Sequence, residues 1–409
     1  MSVAARWEAA ARLVAAHRDL LDARPGMAEL ADAVKARGWA SFLLALEEGE
    51  LDALEIGGND ATWPSRTPES LVALVVSARD VCALPALTAL GDARAGAGSQ
   101  RRRETPRKRA QIDAFARIIL PLARAAERII DVGSGHGHLT RAIAERIDRP
   151  VVGLDRDDGL ASRARTLTST ASPSFAVVDV LRDGLTLTAA DCVIGLHACG
   201  ELGDVMVESA ARAGASIALV GCCLQKRRAL SRPPLAPAMS MAGFEDGALD
   251  LPRDVLGLSN LTARDEGVEA TRSENLAARE RRLALHRLLE VAGESVSPGA
   301  EIRGLNRRAA HGDLESLVTR AFAARRLRPP SPSTIAEAAA WAREHHAQQR
   351  RLSLPRALLA RVLEVLVLTD RARHLESRGR DVAIGPIFEA SASARNLALV
   401  SPAARCRDL

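Results

Sequence analysis

The residues best suited to chemistry open with alternating glycines, Asp131-Val132-Gly133-Ser134-Gly135-His136-Gly137. Glycine at every second position permits positive φ and lets backbone amides approach a ligand closely. A dinucleotide loop spaces its glycines G-x-G-x-x-G. Here the spacing is G-x-G-x-G with an acid two residues ahead, which disfavours a nucleotide-dependent oxidoreductase. The Asp131 carboxylate suits a cationic ligand group. Asp155, eighteen residues after Gly137, ends a second predicted strand, where an acid accepts both hydroxyls of a ribose. Asp179 ends a third, placed to meet an adenine's exocyclic amine. With their neighbours His138, Arg156 and Val180, these residues (Asp131, Gly133, Ser134, Gly135, Gly137, Asp155, Asp179) form the candidate cofactor site.

A second group lies further on. His197 can orient or deprotonate a nucleophile, histidine being the side-chain type suited to proton transfer near neutrality; a histidine packing its loop or capping the next helix is the plainer reading. Cys199, Cys222 and Cys223 admit three readings: buried structural thiols, a zinc site with His197, or a nucleophilic cysteine. No Cys-x2-Cys pairing supports zinc, so no metal is expected. Lys226 follows the fifth predicted strand and Lys108 precedes the helix before the first. In a chain with only one other lysine, Lys35, both are candidates for a compact, deprotonatable ammonium facing the substrate. Chance placement is the competing reading. His197, Cys199 and Lys226 are the candidate catalytic residues.

The elements that must position these groups alternate. Apolar strands at 128–132, 151–155, 175–179, 192–196 and 217–221 are separated by predicted helices at 111–125, 139–147, through Arg163, and 201–213. Short buried strands between helices predict a parallel sheet covered on both faces. Helical spacing also runs through residues 1–95, broken at Pro64 and Pro68. A small-residue link, 93–99, and the basic run 101–109 mark a boundary. Residues 232–354 are rich in Pro, Arg and helical stretches. A strong amphipathic helix at 355–378 and strands at 381–388 and 396–400 then predict a return to the sheet. The expected division is a helical domain at 1–100, a core beginning at 101–231, a helical insertion at 232–354, and 355–409 completing the core.

Together the Gly loop, Gly195-Leu196-His197-Ala198-Cys199-Gly200-Glu201-Leu202 and Val220-Gly221-Cys222-Cys223 resemble the methyltransferase-like protein 25 family of S-adenosylmethionine-dependent methyltransferases. More distantly they are similar to the tRNA 2′-O-methyltransferases of the acceptor stem. The resemblance continues in Thr369-Asp370-Arg371 and Ser393-Ala394-Arg395-Asn396-Leu397, and departs at Leu224 (usually aromatic), His136 (usually Lys) and Ala394 (usually Pro). It implies a Rossmann-like class I methyltransferase fold of the α/β class with S-adenosyl-L-methionine as cofactor. It also implies methyl delivery beside the end of the fourth strand, at His197-Ala198-Cys199-Gly200. The polar-Pro-Pro-aromatic signature of amine methylation is absent there, which disfavours adenine or cytosine N-methylation by that route.

Composition narrows the acceptor. Net charge is +5 from 56 basic and 51 acidic residues, and there is no tyrosine among few aromatics. Scarce aromatics argue against a base-stacking platform. Basic residues at 101–109 and 226–228 favour RNA as acceptor. A protein acceptor, or a non-catalytic cofactor-binding scaffold, is the alternative. No membrane-spanning run or secretory signal is visible and six cysteines are too few for a disulfide scaffold, so a cytoplasmic protein is expected.

Overall fold

The computed structural model describes residues 1–23, 28–87, 105–168, 172–236, 244, 247–263, 270–297, 299–390 and 392–404. The link at 93–99 and Arg101 to Glu104 of the basic run lie outside them. The chain forms two compact units, 1–22 with 73–264 and 357–409, and 23–72 with 265–356.

The first unit is built on a seven-stranded sheet. Its strands are β1 (Arg128–Val132), β2 (Val151–Asp155), β3 (Ser174–Val177), β4 (Asp191–Cys199), β5 (Ser216–Cys222), β6 (Ala383–Pro386) and β7 (Leu397–Ser401). Their spatial order is 3-2-1-4-5-7-6. The first five pair in parallel, and β7 runs antiparallel between β5 and β6. Ile129 and Ile130 pair with Val151 and Val152 on one side and with Cys192 and Val193 on the other. Both faces of these central strands are covered, which is why their sequences run apolar without alternation.

Helix α1 (Pro106–Ala125) starts on a Thr105 cap whose hydroxyl accepts from the Lys108 amide, with proline in the first turn. It packs Ile112, Phe115, Ile119 and Leu122 into the same core as Ile129, Val151 and Ile194. The crossovers α2 (His138–Ala144), α3 (Asp158–Thr166), α4 (Val180–Asp183) and α5 (Glu201–Ala213) follow, and α6 (Leu354–Glu376) precedes the last two strands. The last fifty residues thus complete the sheet. The third strand stops earlier than expected, at Val177. Asp179 is the cap of α4, its carboxylate accepting from the Leu181 amide, so it does not end a strand.

The first hundred residues, expected as one helical domain, are divided between the units. The helix Val3–Ala16 belongs to the sheet unit, where the Arg6 guanidinium donates to the carbonyls of Asp80 and Val81 and Arg373 lies 4.4 Å over the Trp7 ring. The second unit is helical. Its longest helices, Arg272–Val291, Leu314–Ala324 and Pro332–Leu352, close on Leu285, Leu289, Val318, Phe322 and Ala342. Arg350 and Arg272 join the acids Asp52 and Glu55 of the helix Glu48–Gly57. Among the described residues no helix is long and apolar enough to cross a membrane.

Candidate active site

The strand order reverses between β1 and β4, the place where open α/β sheets bind ligands beyond the carboxyl ends of their strands. A cavity of about 540 Å³ opens there, lined by Asp131, Gly133, Ser134, Gly135, His136 and His138 from the loop after β1. Leu196 and His197 of β4, and Thr105, Arg107, Lys108 and Gln111 of α1 and its cap, complete much of the wall. Its size suits a nucleoside-bearing ligand.

The loop takes its shape from glycines at φ +75° (Gly133), +53° (Gly135) and +70° (Gly137). Its amides turn inward: Gly133 and Ser134 donate to the Leu154 carbonyl, Gly137 to that of Ser134, and Gly135 to the Asp155 carboxylate at 2.8 Å. Those four amides are therefore not arrayed to cradle a pyrophosphate. Space is open above Gly135, and among the described residues the buried Ser134 hydroxyl oxygen has no hydrogen-bond partner. A buried hydroxyl without a partner carries a desolvation cost that a ligand would remove.

Asp131 is 2% exposed and accepts from the Thr140 hydroxyl at 2.7 Å. Burial pushes its carboxyl up to about 6, against the Thr140 hydrogen bond and with help from the charge of Asp155. An acid so placed gains most from a cationic ligand, which would favour its ionised form. His138 is driven the other way, down to about 4, by burial and then by Lys108, Arg141 and His136. It is a neutral ring at physiological pH.

Of the other cofactor candidates, Asp155 stands behind the loop with its two oxygens accepting from Gly135 and Asp157. Arg156 is exposed and Val180 buried. Asp179 faces Arg228 at 3.5 Å. Neither Asp155, Arg156, Asp179, Val180 nor Gly137 lines the cavity. Gly137 instead makes room for Phe175, whose ring would lie 2.5 Å from a Cβ at that position.

On the opposite wall β4 bulges between Leu196 and Ala198, and His197 adopts φ +68°. Residues other than glycine seldom hold such a conformation, and it clusters at functional sites. The His197 Nε2 lies 3.0 Å from Gln111 Oε1. Gln111 Nε2 donates to the Ala392 carbonyl at 2.8 Å, which leaves its oxygen to accept. We therefore assign the proton of the neutral imidazole to Nε2 and its lone pair to Nδ1. Gln111 was not singled out from the sequence, since an amide 86 positions from its histidine has no local signature.

Cys199 and Lys226, two of the three catalytic candidates, do not line the cavity. Cys199 joins Cys222 and Cys223, their sulfurs all within 4.8 Å of one another. Lys226 is exposed, and its carbonyl receives the Glu201 amide. Only Lys108 of the two singled-out lysines lines the cavity. The basic run 226–228 is also partly committed. Arg227 pairs with the buried Asp204 at 3.0 Å, and Arg228 donates to the Leu181 carbonyl.

Asp204 on α5 anchors the whole rim. It pairs with Arg227, Arg232 and Arg371, and Asp370 pairs with Arg232 at 2.7 Å. Burial opposes the Asp204 charge, but Arg232 and Arg371 hold its carboxyl well below the ordinary range. Arg371 also donates to the Gly200 carbonyl at 2.8 Å. Gly200, at φ +50°, has no room for a Cβ, which would lie 2.2 Å from the Lys226 carbonyl.

A sheet of order 3-2-1-4-5-7-6 with one reversed strand, a glycine loop after β1 and a cavity at the β1/β4 reversal together define the Rossmann-like class I methyltransferase fold. Residues 107–229, less than a third of the chain, match a family described as a methyltransferase domain, which supports a methyltransferase. Among solved structures the chain is similar to the sugar N-methyltransferase KedS8 from a Streptoalloteichus species, at 18% identity and TM-score 0.24, covering 34% of this chain and 59% of that one. It is also similar to the 23S rRNA methyltransferase ErmE, at 16% identity and TM-score 0.23, covering 60% and 96%. The chain thus spans well under two thirds of the first of these.

Proposed function

We propose that the chain is an S-adenosylmethionine-dependent methyltransferase of the kind represented by the methyltransferase-like protein 25 family, with RNA as its acceptor in the cytoplasm. The observation that carries this reading is the cavity at the β1/β4 reversal, with buried Asp131 on one wall and the Gln111–His197 pair on the other. Asp131 would hold the donor's amino group, the Ser134 hydroxyl would take a polar atom of it, and the open space above Gly135 would admit its body. When bound, S-adenosylmethionine supplies a methyl carbon activated by the positive sulfonium. His197, held by Gln111, would take the proton of an acceptor hydroxyl as its oxygen attacks the methyl carbon and the carbon–sulfur bond breaks, S-adenosylhomocysteine leaving. Arg107 and Lys108 at the cavity wall favour an acceptor carrying phosphates.

Incubation with radiolabelled donor and separated cellular RNA and protein tests this. Label should enter RNA with the wild type and fail to do so with Asp131→Ala or His197→Ala. Label confined to protein would replace the acceptor; label in neither, with no binding of S-adenosylhomocysteine by calorimetry, would remove the enzyme reading.

A further inference from the structure

We propose that Cys199, Cys222 and Cys223 form a binding site for one thiophilic divalent ion, Zn²⁺ in the cell, placed at the carboxyl ends of β4 and β5. The site stands whether or not the domain transfers methyl groups.

The three sulfurs lie within 4.8 Å of one another. A tetrahedral zinc with Zn–S bonds of about 2.3 Å sets neighbouring sulfurs about 3.8 Å apart. Cys199 and Cys222 are partners in the parallel ladder, so their side chains leave the sheet on one side; their sulfurs lie 3.0 Å apart and would have to separate to take an ion between them. In regular strand geometry Cys223 would point to the other face. It does not, because its φ of +39° turns it back toward the pair. A side chain bearing a Cβ rarely adopts that conformation. Turned this way, Cys223 completes a set of three sulfurs, while Cys199 and Cys222 each donate to the His197 carbonyl in this structure.

Charge points the same way. The Arg395 guanidinium donates to the Cys223 sulfur at 3.1 Å, and Lys226 follows on the same loop. Three thiolates around a divalent ion leave one net negative charge, which a cation hydrogen-bonded to a ligating sulfur offsets, as outer partners of metal ligands do. Three protein ligands leave a fourth position for water or another small ligand. The set escapes a search for Cys-x2-Cys because Cys199 at the end of β4 meets Cys222 and the adjoining Cys223 only in the folded sheet.

Titration of the reduced full-length chain with Co²⁺, followed by absorption, tests the site. One Co²⁺ per chain should give thiolate-to-cobalt charge transfer and the visible bands of a tetrahedral ion, both abolished by one equivalent of Zn²⁺. Cys199→Ala and Cys222→Ala should lose the charge-transfer band at stoichiometric metal, and Cys82→Ala should keep it. Arg395→Gln should weaken binding about 10–100-fold. Because a cysteine variant can misfold, alkylation of the wild type gives an independent reading. Zn²⁺ should protect the three thiols together, and a chelator should expose them. Absence of the charge-transfer band, binding unchanged in the triple alanine variant, or a Cys199–Cys222 disulfide that persists under reductant without metal uptake would each overturn the site.

Discussion

At the scale of single residues, Asp131 couples ligand binding to stability. Its carboxyl titrates near 6 in the folded protein and near 4 in an unfolded chain. Between those values the folded state binds the proton more tightly, so stability falls as pH rises through the window and the deficit persists above it. Asp131→Asn, which keeps an oxygen for Thr140, should therefore raise stability at pH 8 by up to about 3 kcal/mol. Denaturant melts at pH 8 and pH 5 should show the gap narrowing at the lower pH. The same variant should bind donor about 10–100-fold more weakly, as expected for loss of a charge-assisted hydrogen bond. His197 and Gln111 divide differently. His197→Ala should lower kcat by about 10²–10⁴ with little change in donor affinity. Gln111→Glu, placing a carboxylate beside Nε2, should shift the alkaline-favoured limb of the pH–rate profile upward, whereas a purely structural amide would leave that profile in place. Asp131 and His197 could be singled out because each sits in a short run of unusual composition, and both line the cavity. Gln111 was not, since only the folded chain brings it to the histidine.

At the scale of elements, the sheet was legible almost strand by strand. Buried parallel strands need apolar side chains on both faces, and Val151-Val152 or Ile217-Ala218-Leu219-Val220 leave little alternative. What holds the ends of those strands was not legible. Asp204, Arg227, Arg232, Asp370 and Arg371 are ordinary charged residues in sequence, and their pairing across as many as 167 positions exists only after folding. Asp204→Ala should cost about 3–5 kcal/mol by leaving Arg232 and Arg371 buried without their shared partner. Urea denaturation should show a lower midpoint with an unchanged m-value. The division of the first hundred residues between two units escaped the sequence for the same reason. Amphipathic spacing says that a helix has a buried face, but not what covers it.

At the scale of the whole molecule, a net charge of +5 says less than its distribution. Arg227 and Arg232 answer buried acids, while Arg107 and Lys108 stand at the cavity. If RNA is the acceptor, Lys108→Gln should weaken binding across sequences and reduce the slope of log K against log salt by about 1, as filter binding at several ionic strengths would show. The Ala392 carbonyl raises a different matter, that of timing. It anchors Gln111 from 281 positions further along the chain, and the Arg395 that meets Cys223 lies beside it. A ribosome has therefore made the whole glycine loop, His197 and all three clustered cysteines long before the chain supplies what aligns them. On the proposed function, nascent or prematurely terminated chains would carry the recognisable motif without the contacts that align it.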